Sequence, residues 1–137
     1  MSVFAGCSSP DQLECAVIDP SCAPLYAPTW ENVFANTLDP KCGLGGGTCH
    51  AGASARAGLR LDQSDLAYQG LTDPGRGYVL VDDVACSELI QRIYSTSDKL
   101  RMPKGSSLTT AERCAVTQWV LAGAPGPTVT IDAGVAP

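Results

Sequence analysis

Apolar side chains recur at helical spacing in four places along the chain, and segments rich in Gly, Pro, Asp and Ser separate them. The first of these runs starts after Thr29, whose side chain can cap a helix. Its inward face is formed by Trp30, Val33, Phe34 and Leu38. Asp39-Pro40 is predicted to end the helix, because a residue that precedes proline is disfavoured in the α region.

Two shorter helices are predicted in the middle of the chain. Asp62 can cap the first of them, and its inward residues are Leu66, Ala67 and Leu71. The next helix spans about residues 84–95, with a buried stripe of Val84, Leu89, Ile90 and Ile93. Between these helices Asp73-Pro74-Gly75 indicates a turn, and residues 78–81 form either a short strand or extended chain.

The last helix has the clearest start. Thr109 and Glu112 stand in the spacing of a capping box, in which a hydroxyl and a carboxylate each bond a free backbone N–H. The predicted inner face consists of Ala115, Val116, Trp119 and Val120. Gly123 and Pro125 are predicted to end the helix. The pattern therefore predicts a mainly α fold of about four short helices with long loops.

The same pattern divides the 137 residues into three parts. We expect a Cys- and Pro-rich tether at residues 1–28, one helical domain at residues 29–124, and a flexible C-terminal tail at residues 125–137. The net charge is −5 and no basic stripe is present, which argues against a nucleic-acid partner.

Seven cysteines in a chain of this length indicate an oxidising compartment, and an odd number leaves one outside any internal pairing. Phe4-Ala5-Gly6-Cys7 resembles a bacterial lipobox, which predicts lipidation of Cys7 and a lipoprotein anchored in the cell envelope. Only three residues precede this motif, fewer than a signal peptide needs, so either the chain starts inside the signal or the match is coincidental. No apolar run is long enough to cross a bilayer.

The central motif is Cys42, Cys49 and His50, which includes the one histidine of the chain. A Cys…Cys-His sequence attaches haem in c-type cytochromes, usually with two residues between the cysteines, and here there are six. In the alternative, Cys42 and Cys49 form a disulfide and no haem is bound. A structural zinc site is not expected, because Cys42, Cys49 and His50 provide three ligands and a fourth is missing. A hydrolase is not expected either, because the sequence has a histidine as general base but no nucleophile motif.

The order of motifs resembles a planctomycete-type cytochrome c domain, which is similar to class I c-type cytochromes, over about residues 29–124. After Cys42, Cys49 and His50, the resemblance continues through residues 58–62, 87–93 and 101–103. It ends on Leu108-Thr109, Glu112, Trp119-Val120 and Gly123-Ala124. The resemblance implies a helical fold around one haem c, with thioethers at Cys42 and Cys49 and with His50 and Met102 as the proximal and distal ligands of the iron.

A haem with both axial positions filled by protein side chains implies an electron carrier rather than an enzyme, working with an unidentified redox partner. A propionate partner could be Arg60, Arg76 or Arg101, because a guanidinium suits a carboxylate. The remaining cysteines are predicted to pair as Cys15–Cys22, on local spacing, and Cys86–Cys114. The alternative function is a haem-free, disulfide-stapled lipoprotein module with a structural or binding role in the envelope.

Overall fold

The computed structural model describes residues 12–43, 50 and 58–128, and this part of the chain contains four helices and no strand. The mainly α fold class is thus confirmed. The helices occupy residues 30–42, Ser64–Thr72, Glu88–Tyr94 and Thr110–Leu121, with a short 3₁₀ turn at Val84–Cys86. We refer to them as the first to fourth helix. Cys7 and Cys49 lie outside the described residues.

The first helix consists of an α segment, Trp30–Val33, a π segment, Phe34–Leu38, and a second α segment, Asp39–Cys42. Thr29 caps it as predicted, since its hydroxyl accepts a hydrogen bond from the Asn32 N–H at 3.3 Å. The predicted end at Asp39-Pro40 was wrong. The π turn changes the hydrogen-bond register, and Pro40 falls in the first turn of the second α segment, where its missing N–H costs no bond.

The second and third helices differ from prediction at their N-terminal ends. Gln63, rather than Asp62, precedes the second helix, and the Asp62 carboxylate instead bonds Arg60 at 2.9 Å. The predicted helix at residues 84–95 is interrupted at Ser87, which is fully buried. The Ser87 hydroxyl bonds both the N–H and the carbonyl of Leu80. Residues 78–81 form no strand: they are irregular chain that enters a turn at residue 81.

The fourth helix begins and ends as predicted. The Thr109 hydroxyl accepts from the Glu112 N–H at 3.1 Å, and the Glu112 carboxylate accepts from the Thr109 N–H at 3.2 Å. Beyond its end, the N–H groups of Gly123 and Ala124 donate to the carbonyls of Val120 and Trp119. This Schellman pattern requires a positive φ, and Gly123 adopts +95° without steric cost.

The core is centred on two tryptophans. Trp30 and Trp119 lie with ring centroids 5.3 Å apart, and both rings also pack against Tyr68. The indole N–H groups are satisfied, by the Ser64 hydroxyl for Trp30 and by the Pro125 carbonyl for Trp119. The first, second and fourth helices therefore share one core, and the chain just after the fourth helix lies against it.

Two disulfides attach residues 12–28 to the helices, and their pairing differs from the prediction. Cys15 bonds Cys86 and Cys22 bonds Cys114, so the predicted Cys15–Cys22 and Cys86–Cys114 bonds were wrong. Local spacing was misleading, because this segment runs across two different elements. The Ala16 N–H donates to the Ala85 carbonyl, whereas the Leu25 N–H donates to Ala111 in the fourth helix. The two cysteines therefore face different partners.

The bonds also connect parts of the chain that are far apart in sequence, at separations of 71 and 92 residues. Disulfides of this kind are typical of proteins in oxidising compartments. Across the described residues, the helices are too short or too polar to span a membrane.

Candidate functional site

His50 is held by its backbone between the end of the first helix and an extended segment. Its N–H donates to the Cys42 carbonyl at 3.1 Å, and its own carbonyl accepts from the Leu61 N–H at 2.7 Å. Leu59 and Leu61 are buried, with exposed fractions of 6% and 3%, so the segment that holds His50 belongs to the core. The position of the histidine is thus set by the fold.

The His50 ring is fixed as well. Its Nδ1 lies 3.0 Å from the Leu59 carbonyl oxygen, and a carbonyl can only accept, so Nδ1 carries the proton of this hydrogen bond. In the neutral ring the lone pair is then on Nε2. Histidines that bind metals usually donate their second ring N–H in this way, which orients the ring and makes the ligating nitrogen more basic. The orientation of the ring is therefore that of a histidine that binds a metal through its Nε2.

Gly43 permits this arrangement by its small size. A Cβ at position 43 would lie 2.4 Å from the Leu61 carbonyl oxygen and 3.0 Å from that of Asp39. Both contacts are with backbone, which cannot rotate away. In the structure Gly43 allows the helix end to approach the segment that carries Leu59 and Leu61.

Replacing Gly43 with alanine is expected to destabilise the protein by about 1–3 kcal/mol, the usual cost of forcing extra atoms into a packed site. The Leu61 backbone must move, and with it the bond to the His50 carbonyl. Chemical denaturation measures the free energy of unfolding. Gly75→Ala is the matched control, since its nearest contact would be an ordinary 3.4 Å to a side-chain oxygen of Asp73. Equal stability of the two variants would contradict the close-approach argument.

Cys42 is the last residue of the first helix and is 7% exposed. Its carbonyl bonds the His50 N–H, so the structure brings two of the four predicted haem-site residues together through the backbone. Cys49, the third, lies outside the described residues.

An ion pair fixes the helix end that carries Cys42. The Lys41 ammonium lies 3.1 Å and 3.0 Å from the two carboxylate oxygens of Glu112, at the start of the fourth helix. Burial raises the pKa of the Glu112 carboxyl, but bonds from Thr109 and the charge and hydrogen bond of Lys41 outweigh it and leave the pKa below its ordinary value. The carboxylate is therefore ionised at neutral pH and ties the two helices together.

Met102, the fourth predicted residue, lies on a loop anchored to the third helix. Its N–H donates to the Arg92 carbonyl at 3.1 Å, its side chain is half-buried, and Pro103 after it is buried. The preceding Arg101 bonds the Ser97 and Ser106 carbonyls, through its N–H and its guanidinium, which closes the loop on itself. These hydrogen bonds fix the conformation of the Met102 loop and attach it to the third helix.

The three arginines that could meet a propionate each have a carboxylate partner within the chain. Arg60 bonds Asp62 through two nitrogens, Arg76 lies 3.5 Å from Asp73, and Arg101 lies 3.0 Å from Asp98. The side chains of all three pairs are partly exposed, so each ion pair contributes less than about 1 kcal/mol to the free energy of unfolding.

A cavity of about 650 Å³ opens between residues 12–17 and the C-terminal half of the third helix. Its lining mixes polar and apolar side chains from Gln12, Glu14, Val17, Gln91, Tyr94 and Ser97 among others. Cys42, His50 and Met102 do not line it. Within the described residues, no cluster of three or more His, Cys, Asp or Glu side chains could hold a metal ion.

Comparison with known protein families supports the domain type that the motifs indicate. Residues 47–105 match the family described as Planctomycete cytochrome C. The matched segment includes Cys49, His50 and Met102, whereas Cys42 lies before it. No curated protein and no solved structure matches the chain.

Proposed function

We propose that the protein is an electron-transfer domain of the c-type cytochrome class, which binds one haem covalently through Cys42 and Cys49, with His50 and Met102 as axial ligands of the iron. The single observation that carries this proposal is the hydrogen bond from His50 Nδ1 to the Leu59 carbonyl. It leaves Nε2 as the nitrogen that can bind iron, and it fixes the ring plane before any metal arrives.

Met102 is suited to the opposite side of the iron. Its thioether is a soft, neutral ligand, and haem with His and Met ligands has a raised reduction potential. The backbone bond to Arg92 and the buried Pro103 hold the loop that would present it. Haem, when bound, supplies a one-electron couple. With both axial positions taken by side chains, the chain's own role is to hold the ligands and exclude solvent, as an electron carrier does.

Attachment depends on the unusual spacing of the cysteines. With two residues between them, the first cysteine would stand at position 46, where the sequence has Gly46. The cysteine that is present, Cys42, ends the first helix and is buried, close to the His50 backbone. A thioether to Cys42 would therefore be made from the helix end, and a thioether to Cys49 from the residue next to the proximal ligand.

We place this domain in a bacterial cell envelope, where a lipid at Cys7 would anchor it. The seven cysteines and the two long-range disulfides support an oxidising compartment. The acidic charge of −5 suits exchange of electrons with a partner protein rather than binding to nucleic acid.

The test is an absorption spectrum and an intact mass of the protein exported to an oxidising periplasm that has haem-attachment machinery. We expect a sharp Soret band and the added mass of one haem that survives denaturation. A Cys49→Ala variant tests whether Cys42 alone can attach the haem, because a single thioether to Cys42 would still add the mass of one haem to the denatured protein. A colourless protein whose mass shows only lost cysteine protons contradicts the proposal.

A second candidate is a haem-free envelope module with a structural or binding role. The two disulfides favour it, because they join residues 12–28 to the third-helix region and to the fourth helix without help from a cofactor. In that case Cys42 and Cys49 would form a third bridge. The same spectrum and mass distinguish the two candidates.

A further inference from the structure

The two disulfides differ in how well the fold covers their sulfurs. Cys15 is exposed and Cys86 is half-buried, whereas Cys114 is 1% exposed within the fourth helix. The Gln118 side-chain amide covers Cys22, since it donates to the Cys22 carbonyl at 2.8 Å and contacts the Cys22 sulfur at 3.6 Å. A reagent in solution therefore reaches the Cys15–Cys86 bond more readily than the bond between Cys22 and Cys114.

The cavity beside the third helix gives access to Cys15. Cys15 lines this cavity together with Val17 and Gln91, and Val17 is 96% exposed at its rim. Among the described residues, the contact to the Cys15 sulfur from outside the disulfide is a long one, 4.0 Å from the Gln91 side-chain amide. A volume of about 650 Å³ equals that of pockets which bury a small molecule, so a side chain of another protein can enter.

Little besides this disulfide attaches residues 12–18 to the third-helix region. Within the described part of the chain, their backbone makes one hydrogen bond, from the Ala16 N–H to the Ala85 carbonyl at 2.8 Å. The side chains of Ala16 and Ile18 pack against the core but are only partly buried. Exposed disulfides are the labile ones, and a segment with so few other contacts can separate without unfolding the protein.

The chain just after this segment is attached independently. The Cys22–Cys114 bond holds it on the fourth helix, and the Leu25 N–H donates to the Ala111 carbonyl at 3.0 Å. The buried hydrophobic core includes neither cysteine of the Cys15–Cys86 bond. Opening that bond is therefore a local change, limited to residues 12–18 and the surface that they cover.

We propose that the Cys15–Cys86 disulfide is a thiol–disulfide exchange site, which a dithiol protein reduces through the cavity. Reduction releases residues 12–18 from the third-helix region, and oxidation attaches them again. The attachment of this segment thus follows the thiol redox state of the surrounding compartment. The inference goes beyond electron transfer by haem and does not depend on a bound haem.

The exchange is a two-electron reaction in which the partner dithiol is oxidised. One partner thiolate attacks the exposed Cys15 sulfur, which forms a mixed disulfide, and Cys86 leaves as a thiolate that takes up a proton. The second partner thiolate then attacks the partner's own sulfur in the mixed disulfide. Cys15 leaves as a thiolate, to which the Gln91 amide can donate, and it also takes up a proton. Both electrons and both protons come from the partner dithiol.

The experiment treats the intact protein, exported to an oxidising periplasm and purified, with a thioredoxin-type dithiol protein. Alkylation traps free thiols at intervals, and peptide masses assign each alkylated cysteine, so the redox state of a haem iron does not enter the result. We expect Cys15 and Cys86 to be alkylated at least about tenfold faster than Cys22 and Cys114. The buried bond serves as the internal control.

Hydrogen exchange measures the release of the segment. In the reduced protein the Ala16 N–H should lose its protection, whereas the amides of the fourth helix should keep theirs. The double variant Cys15→Ala and Cys86→Ala provides a permanently open form. It should show the Ala16 exchange of the reduced wild type and should not respond further to the dithiol protein.

Three outcomes overturn the proposal. Alkylation of Cys22 and Cys114 as early as that of Cys15 and Cys86 contradicts the difference in access. Loss of protection throughout the fourth helix means that the protein unfolds instead of releasing one segment. If dithiothreitol reduces the bond but the dithiol protein does not, the site does not admit such a partner. A preparation without haem contradicts the proposed function and leaves this test unchanged.

Discussion

Replacing Met102 with alanine is expected to leave haem attached while changing its spectrum and lowering its reduction potential. In the haem-loaded protein the Met102 thioether would favour ferrous iron, and the alanine variant would lack this ligand. Axial ligands set haem potentials over a range of about 0.8 V, so we expect a shift that is a sizeable fraction of that range. Absorption spectroscopy and potentiometry of the exported protein measure both effects.

Met102→Leu provides the matched control for packing, since it fills similar volume without sulfur. Both variants keep the backbone bond from residue 102 to the Arg92 carbonyl, which holds the loop. The two variants should therefore share the altered spectrum and differ only in stability. A spectrum identical to wild type in either variant would falsify the assignment of Met102 as distal ligand.

Removing the Cys22–Cys114 bond, by the double change Cys22→Ala and Cys114→Ala, is expected to cost about 2–5 kcal/mol of the free energy of unfolding. Cys114 is 1% exposed, so the change loses both a cross-link of 92 residues and packing in the core. The Cys15–Cys86 bond should contribute less, since Cys15 is exposed and its loss leaves the core intact.

Denaturant unfolding of the two double variants and of the quadruple variant measures these costs. The two bonds interleave, so while one remains it shortens the loop that the other closes. The quadruple variant should therefore lose more stability than the two double variants combined. A larger loss from the Cys15–Cys86 bond than from Cys22–Cys114 would contradict the argument from burial.

The sequence predicted a structural feature correctly where the two residues that form it lie within one turn of the same helix. The capping box of Thr109 and Glu112 and the cap at Thr29 were predicted correctly for this reason. The inner face of the fourth helix followed from its spacing, and all four of its predicted residues are buried. Elements of this kind depend little on the rest of the fold.

The errors arose where a distant part of the chain decides the outcome. The pairing of Cys15 and Cys22 depends on the path of residues 12–28 across two elements, which spacing does not reveal. The error at Asp62 is an exception and is local, because the Asp62 carboxylate binds Arg60, two residues earlier, and Gln63 precedes the second helix.

At the candidate site, sequence reasoning singled out His50 but could not supply the acceptor for its ring. That acceptor is a backbone carbonyl, at Leu59, and every residue has one. The role of Gly43 was missed for a similar reason, because a close approach is visible only when both segments are in place. The glycine that directly follows Cys42 at the helix end was the available signal.

The π segment of the first helix sets the rotational phase of Cys42. In an ideal α-helix, each residue turns about 100°, and Cys42 would lie about 120° around the axis from Trp30. The widened turn, seen in the bond from the Asp39 N–H to the Phe34 carbonyl, rotates less per residue and returns Cys42 to the buried side. An ideal α-helix one residue shorter would place this cysteine about 20° from Trp30, on the same side, so the π turn accommodates one additional residue without changing the direction of the last side chain.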